Sequence, residues 1–136
     1  MKALSTAIYG KLSGSALASH IGTRLYKGRA PEGATYPYIV YMIVSDVPEN
    51  TFTENLESVL IQFSIFSITS GSTEVEDIYT DLKALYDDCT MTITGETLLY
   101  MLREHATLMV EDHTTTSGTV QAWHYAVDYS LMTKVG

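Results

Sequence analysis

Residues 57–68, which read ESVLIQFSIFSI, decide the fold of this chain. The odd-numbered positions carry the apolar side chains Val59, Ile61, Phe63 and Ile65. The even-numbered positions between them include Gln62 and Ser64. Because successive side chains of a β-strand point to opposite faces, this alternation predicts a strand over Glu57–Ile68 with one buried face.

A second strand is predicted immediately upstream, over Tyr38–Ser45. Pro37 disfavours helical geometry at the residue before it and so leads into an extended segment. The run is apolar on both parities, which predicts burial on two faces. Pro48-Glu49-Asn50 reads as a turn, so the two strands are expected to form an antiparallel hairpin.

A helix is predicted after the hairpin, from the segment that begins at Ser70 to about Asp88. Thr73 and Glu76 have the spacing of a capping box, and acids occupy the first turn. The apolar side chains that follow recur at helical spacing: Val75, Ile78, Tyr79, Leu82, Leu85 and Tyr86. Asp87 lies at the unfavourable end of the helix dipole and has no explanation from the sequence beyond solvation.

The last third of the chain reads as a hairpin. Thr97–Val110 is interpreted mostly as a strand, although its first half has some helical spacing. The polar segment Glu111–Gly118 is interpreted as the hairpin loop, and Thr119–Lys134 as the closing strand. In that strand the apolar residues alternate on one face: Trp123, Tyr125, Val127, Tyr129 and Leu131.

The first third reads as a helix over Lys2–Leu12 and a short helical piece over Ser15–His20. A short strand at Thr23–Tyr26 and a loop over residues 27–34 follow. The complete order predicts an α+β fold: an antiparallel β-sheet with two main helices packed on one side. We expect a single two-layer domain that spans residues 1–136.

Charge is distributed unevenly along the 136 residues. The formal net charge is −8 and the isoelectric point is near 4.8, which disfavours a protein that binds nucleic acid by neutralising phosphates. Residues 1–31 sum to +5 and residues 32–136 to −13. This asymmetry either has no partner behind it, or belongs to a subunit whose basic face meets the acidic face of a neighbour.

The single cysteine, Cys89, excludes an intrachain disulfide and favours a reducing compartment such as a bacterial cytosol. The N-terminus lacks the pattern of a signal peptide. The longest apolar run, Tyr38–Val44, is too short to cross a bilayer. These features predict a soluble protein.

No pattern of catalytic, metal or cofactor chemistry is recognisable. The nearest approach to a cation loop is His113 beside Glu111 and Asp112, and a solvated hairpin tip is the preferred interpretation. No serine lies in a nucleophile elbow, and the acids beside Cys89 should raise its pKa. The ten tyrosines suit a half-buried sheet or a protein–protein contact. We therefore expect neither an enzyme nor a bound cofactor.

The segment from Ile21 to Tyr41, IGTRLYKGRAPEGATYPYIVY, resembles the tail-completion family of long-tailed bacteriophages. It combines a helix that ends in a glycine, an Arg-hydrophobic-Tyr motif, an Ala-Pro-x-Gly-Ala loop and a Pro-Tyr strand start. The resemblance implies a structural virion protein that forms a ring, usually a hexamer, at the head-proximal end of the tail. Such a ring ends tail-tube polymerisation and joins the tail to the head-side connector or stopper.

The implied partners are further copies of the chain, the tail tube protein and the connector, with phage DNA passing through the ring lumen without sequence-specific recognition. The implied location is the head–tail junction of the virion, after assembly in the bacterial cytoplasm. Loops and charge suggest interface residues: Arg24, Lys27, Arg29, Pro31, Glu49, Glu54, Glu111, Asp112 and His113. A head-side stopper is the alternative, and a ligand-binding or enzymatic domain with an unrecognised site is the remaining one.

Overall fold

A computed structural model describes residues 2–136 as a mixed six-stranded sheet, curled into a half-barrel, with three helices. The elements in chain order are α1 (Lys2–Gly10), α2 (Ala18–Ile21), β1 (Leu25–Lys27), β2 (Tyr38–Pro48), β3 (Asn55–Ser67), α3 (Thr73–Tyr86), β4 (Thr92–Ile93), β5 (Glu96–Thr115) and β6 (Gly118–Val135). The strand order across the sheet is β1-β2-β3-β6-β5-β4. The α+β class is confirmed.

The centre of the sheet follows from the alternation in β3 and β6. These strands pair antiparallel with Ile61 opposite Tyr129 and Phe63 opposite Val127, and all four side chains are fully buried. The hairpin of β2 and β3 is also antiparallel, as predicted. The expectation of a wholly antiparallel sheet was wrong, because β1 pairs parallel with β2.

One face of the sheet carries the core. Leu4 and Ile8 of α1 and Val75 and Ile78 of α3 belong to the same buried cluster as the odd-numbered residues of β3. The Tyr86 hydroxyl donates a hydrogen bond of 2.7 Å to the Ile8 carbonyl oxygen, which connects the end of α3 to α1.

The opposite face, called the open face here, carries Met42, Gln62 and Asp128. These three residues lie opposite one another on neighbouring strands, and such a row of paired residues is called a rung of the sheet. The Gln62 side-chain amide donates to the Asp128 carboxylate at 3.0 Å. Met42 and Val44 are exposed, so the prediction that β2 is buried on both faces was wrong beyond its first residues. The reason is that the hydrophobic cluster takes its side chains from the other face of β2, through Ile39 and Tyr41.

The predicted capping box at the start of α3 was wrong. The N-cap is Ser72, and no side-chain cap bond forms there. The Ser72 hydroxyl instead donates to the Glu76 carboxylate at 3.1 Å. The helix ends at Tyr86, close to the predicted position.

The predicted loop over Glu111–Gly118 is mostly strand. β5 continues to Thr115 and pairs with β6 along its whole length, so that only a short turn remains at the tip. Its polar side chains are compatible with a strand because part of this hairpin extends beyond Ser67, where β3 ends. Register shifts near Leu99 and Glu104 mark bulges in β5. The short strand β4 was not anticipated.

Asp87, directly after α3, has an ion-pair partner and a hydrogen-bond partner that the sequence did not reveal. Its carboxylate lies 3.2 Å from the Arg103 guanidinium and accepts a hydrogen bond from the hydroxyl of Tyr129. Arg103 also donates to the Tyr79 hydroxyl. The network compensates for the unfavourable position of Asp87 at the helix end.

We expect Asp87→Ala to lower the free energy of unfolding by about 1–3 kcal/mol, because it leaves the hydroxyl of the fully buried Tyr129 unpaired. Tyr129→Phe removes that hydroxyl together with its need for a partner and should cost less than Asp87→Ala. Urea denaturation followed by circular dichroism gives both values. Equal losses in the two variants would contradict this explanation.

None of the helices within residues 2–136 is long and apolar enough to cross a membrane.

Candidate functional site

A groove of about 810 Å³ opens on the open face at one end of the sheet. It lies between the loop of residues 28–36 and the tip of the β5–β6 hairpin, residues 112–117. Four of the residues predicted from the sequence line it: Arg29, Pro31, Asp112 and His113. The fold therefore brings together two segments that are about eighty residues apart in the chain.

A chain of polar contacts joins the two walls of the groove. The Tyr36 hydroxyl lies 2.6 Å from His113 Nδ1, and His113 Nε2 lies 2.8 Å from the Glu111 carboxylate. The second oxygen of Glu111 lies 3.2 Å from His124 Nδ1. His113 is only 17% exposed, so its interpretation as a solvated hairpin tip was wrong.

Aromatic rings pack beneath this chain of contacts. Phe66 stacks on His124 with ring centroids 4.4 Å apart, and Tyr36 lies 5.0 Å from Tyr38. Burial, reinforced by a hydrogen bond with Tyr36, raises the pKa of the Tyr38 hydroxyl well above its usual range. The loop of residues 28–36 is thus held at Tyr36 by ring packing and by the hydrogen bond to His113.

The cluster of Glu111, His113 and His124 has the properties of a structural contact. Burial alone would raise the pKa of Glu111, but the hydrogen bonds from His113 and His124 outweigh it and lower the pKa. His124 Nε2 is buried and has no hydrogen-bond partner. In the part of the chain that the structure describes, no three His, Cys, Asp or Glu side chains are arranged to hold a metal ion. Burial also raises the pKa of the Cys89 thiol, which makes it a poorer nucleophile.

The basic residues predicted near this site have different environments. The Arg24 guanidinium donates to the carbonyl oxygens of Pro37, at 2.9 Å, and His20, at 3.3 Å, so it stabilises the chain locally. Lys27 and Arg29 are exposed. Among residues 2–136, neither has a carboxylate within ion-pair distance. Of the three predicted basic residues, these two therefore remain available to a partner.

Glu49 and Glu54 lie away from the groove, in the connection between β2 and β3 at the other end of the strands. The Glu54 carboxylate lies 3.3 Å from Lys134 Nζ. The fold therefore separates Glu49 and Glu54 from Glu111 and Asp112 by the length of the sheet.

Sequence reasoning missed an acidic group near the Glu49 end. The pKa of Glu57 is raised by burial first and then by the nearby carboxylates of Asp46 and Glu96. These residues come from β2, β3 and β5, so no local pattern in the chain could have placed them together. This end of the sheet is strongly acidic.

The two sides of the sheet carry free strand edges, which the sequence could not reveal. β4 covers only Glu96 and Thr97 of β5, and β1 covers only residues 39–41 of β2. Eleven large apolar side chains are exposed among the described residues, and seven of them lie on these two strands. They are Met42, Val44 and Val47 on β2, and Leu99, Leu102, Met109 and Val110 on β5.

Comparison with known proteins identifies a family and a similar fold. The family described as Tail completion protein gp17 matches residues 6–130. A chain in a solved structure of the virion of a native gene transfer agent particle has a similar fold, with a TM-score of 0.71 and 14% identity over 96% of each chain. A second solved chain matches with a TM-score of 0.49 and 12% identity over 96% of this chain and 94% of that one, too weakly to support an argument. No curated protein sequence matches.

Proposed function

The chain belongs to the family of tail completion proteins and is a structural component of a phage-type virion tail, and from this premise we propose that it forms the ring that ends the tail tube. The ring is a hexamer of a single domain, residues 1–136, at the head-proximal end of the tail. It stops the addition of tail tube protein and presents a surface to the head-side connector or stopper. The role involves no catalysis and no cofactor.

The observation that carries this proposal is the presence of two unlike apolar edges on opposite sides of the sheet. In a closed ring one patch of each copy binds a different patch of the next copy. The free edges of β2 and β5 can form such a pair of different patches, because they lie on opposite sides of the sheet. Isolated apolar residues on a surface need no explanation, but a concentration on two edges does.

The two ends of the strands suit contacts above and below the ring. One end carries the groove with Asp112 and His113, and the other carries the connection with Glu49 and Glu54. We assign one end to the tail tube protein and the other to the head-side connector. Phage DNA passes through the lumen, and the net charge of −8 favours its passage without binding.

Electron microscopy of lysates from a phage that lacks this gene tests the proposal. Without a ring to end the tube, we expect tails of abnormal length beside filled, unattached heads. Restoring the gene on a plasmid is the control and should restore both tail length and joining.

Tails of normal length that fail to join heads would contradict termination and would assign the protein to the head-side connector instead. Complete, infectious particles in the absence of the gene would contradict both roles.

A further inference from the structure

We propose that strand pairing closes the ring: the free edge of β5 in one copy meets the β1–β2 edge of the next copy, with the strands antiparallel. The inference rests on the proposed function for the existence of a ring, and it adds the surface that joins the copies. The occupant of each free edge is therefore a second copy of this chain.

The strand directions favour this contact. β2 is antiparallel to β3, β3 to β6, and β6 to β5, so β5 runs opposite to β2 and to its parallel neighbour β1. When two copies stand side by side in the same orientation, β5 of one is therefore antiparallel to β1 of the other. A ring needs this same-orientation arrangement, and antiparallel pairing is the more stable kind.

The free part of β5 is suited to pairing. From His105 to Thr115 its register with β6 is regular, whereas the two bulges lie before His105. Residues 106–110, ATLMV, carry no charge. Monomeric proteins usually protect an edge strand with charges, bulges or a covering segment. The five residues 106–110 have none of these protections, which is typical of a strand that has a partner.

In the proposed contact, the residues of β1 and the free residues of β5 lie at the same positions along the strand direction. Through the register of the sheet, Lys27 lies on the rung of Ala106, and Leu25 lies on the rung of Leu108. β1 of one copy can therefore extend the sheet along residues 106–108 of the next copy when both stand at the same height.

The apolar residues beyond β1 match in the same alignment. Val47 lies on the rung of Tyr100, next to Leu99, and Val44 directly precedes the rung that carries Leu102. Val44, Val47, Leu99 and Leu102 are each between 46% and 53% exposed in the single chain. Because β2 lies one strand spacing, about 4.8 Å, behind β1, these side chains face one another across that gap, and the contact lowers their exposure, which stabilises association.

Charge is complementary in this alignment as well. Arg29 follows Lys27 by two residues, toward lower residue numbers on β5, so it approaches the height of Glu104, which is exposed on β5. Arg29 lines the groove on the open face, and Glu104 lies on the same face because it accepts a hydrogen bond from the Ser130 hydroxyl. Arg29 and Glu104 have no ion-pair partner within the described part of the chain. Opposite charges on the two edges select this register over a shifted one.

Photocrosslinking in assembled particles tests the proposal. A benzoylphenylalanine is placed at position 44 and the virions are purified and irradiated. Mass spectrometry of the interchain product should identify a peptide from residues 98–110 of a second copy. The control places the same group at position 52, which is fully exposed in the β2–β3 connection beyond the end of β2, and this should yield no such peptide.

A crosslink from position 44 to β2 of a second copy, to another virion protein, or to no second copy would overturn the proposal. The result is separable from the test of function, because the crosslink reports the contact whatever the tail length is in the gene deletion. Normal tails without the gene combined with a β2–β5 crosslink would leave the contact in place and remove the terminator role.

Discussion

Replacing Phe63 with alanine is expected to lower the free energy of unfolding by about 3–5 kcal/mol, the usual cost of removing a large aromatic side chain from a core. Phe63 is fully buried at the centre of β3. Its ring stacks on Tyr86 with centroids 4.8 Å apart and meets Tyr129 edge-on at 5.7 Å. These contacts join the sheet to α3, so their loss weakens both layers.

The loss is large relative to the total stability of a typical domain, which is about 5–15 kcal/mol. Urea denaturation of the purified protein gives the value. The matched control is Phe52→Ala, because Phe52 is fully exposed and its removal should change the stability by less than about 0.5 kcal/mol. A loss below about 1 kcal/mol at Phe63 would contradict the assigned core.

Reversing the charge of Lys27 and Arg29 together, by Lys27→Glu and Arg29→Glu, is expected to block assembly while the monomer stays folded. Both side chains are exposed and have no partner in the described chain that the change could break. In the proposed ring the two residues lie near Glu104 of the next copy, and like charges at an interface cost several kcal/mol. Because about 1.4 kcal/mol corresponds to a tenfold change in binding, plaque formation should fall by at least tenfold.

A charge swap makes this prediction specific. Adding Glu104→Lys to the double variant restores opposite charges at the junction and should recover plaque formation. Lys2→Glu, a reversal at an exposed position on α1, is the control and should have little effect. Unchanged infectivity of the double variant, with the protein present in the particles, would rule out an interface at these residues.

The parts of the fold that the sequence predicted are those in which a local pattern carries the whole signal. The alternation of Val59, Ile61, Phe63 and Ile65 predicted β3 and its buried face, because the period of a strand is visible within a few residues. The helical stripe that ends at Tyr86 predicted α3 in the same way. Both elements have one side against the core and one side away from it.

The errors arose where the environment of a segment is set by distant residues. The acidic stretch from Glu111 resembles a loop, but it forms strand because Glu111 has two histidines as partners and β6 pairs along its length. The apolar run of β2 resembles a strand buried on both sides, but Met42 and Val44 remain exposed on the single chain. Neither the contact between Tyr36 and His113 nor the pairing of Asp87 with Arg103 has a local signature.

The candidate site was predicted in part. Loop composition and charge identified Arg29, Pro31, Asp112 and His113, which line one groove. The same reasoning included Glu49 and Glu54, which lie at the other end of the sheet, because a sequence does not reveal which loops share an end. The free edges of β2 and β5 could be found only from the strand order.

Copies of this chain are proposed to form a ring at the head-proximal end of the tail. A cryo-electron microscopy reconstruction of the neck of intact particles tests it most directly. We expect one six-fold ring of this chain between the last ring of tail tube protein and the head-side connector, with β5 of each copy beside β1 of the next. A reconstruction that placed the chain on the head side of the connector, or elsewhere in the tail, would contradict the proposed ring.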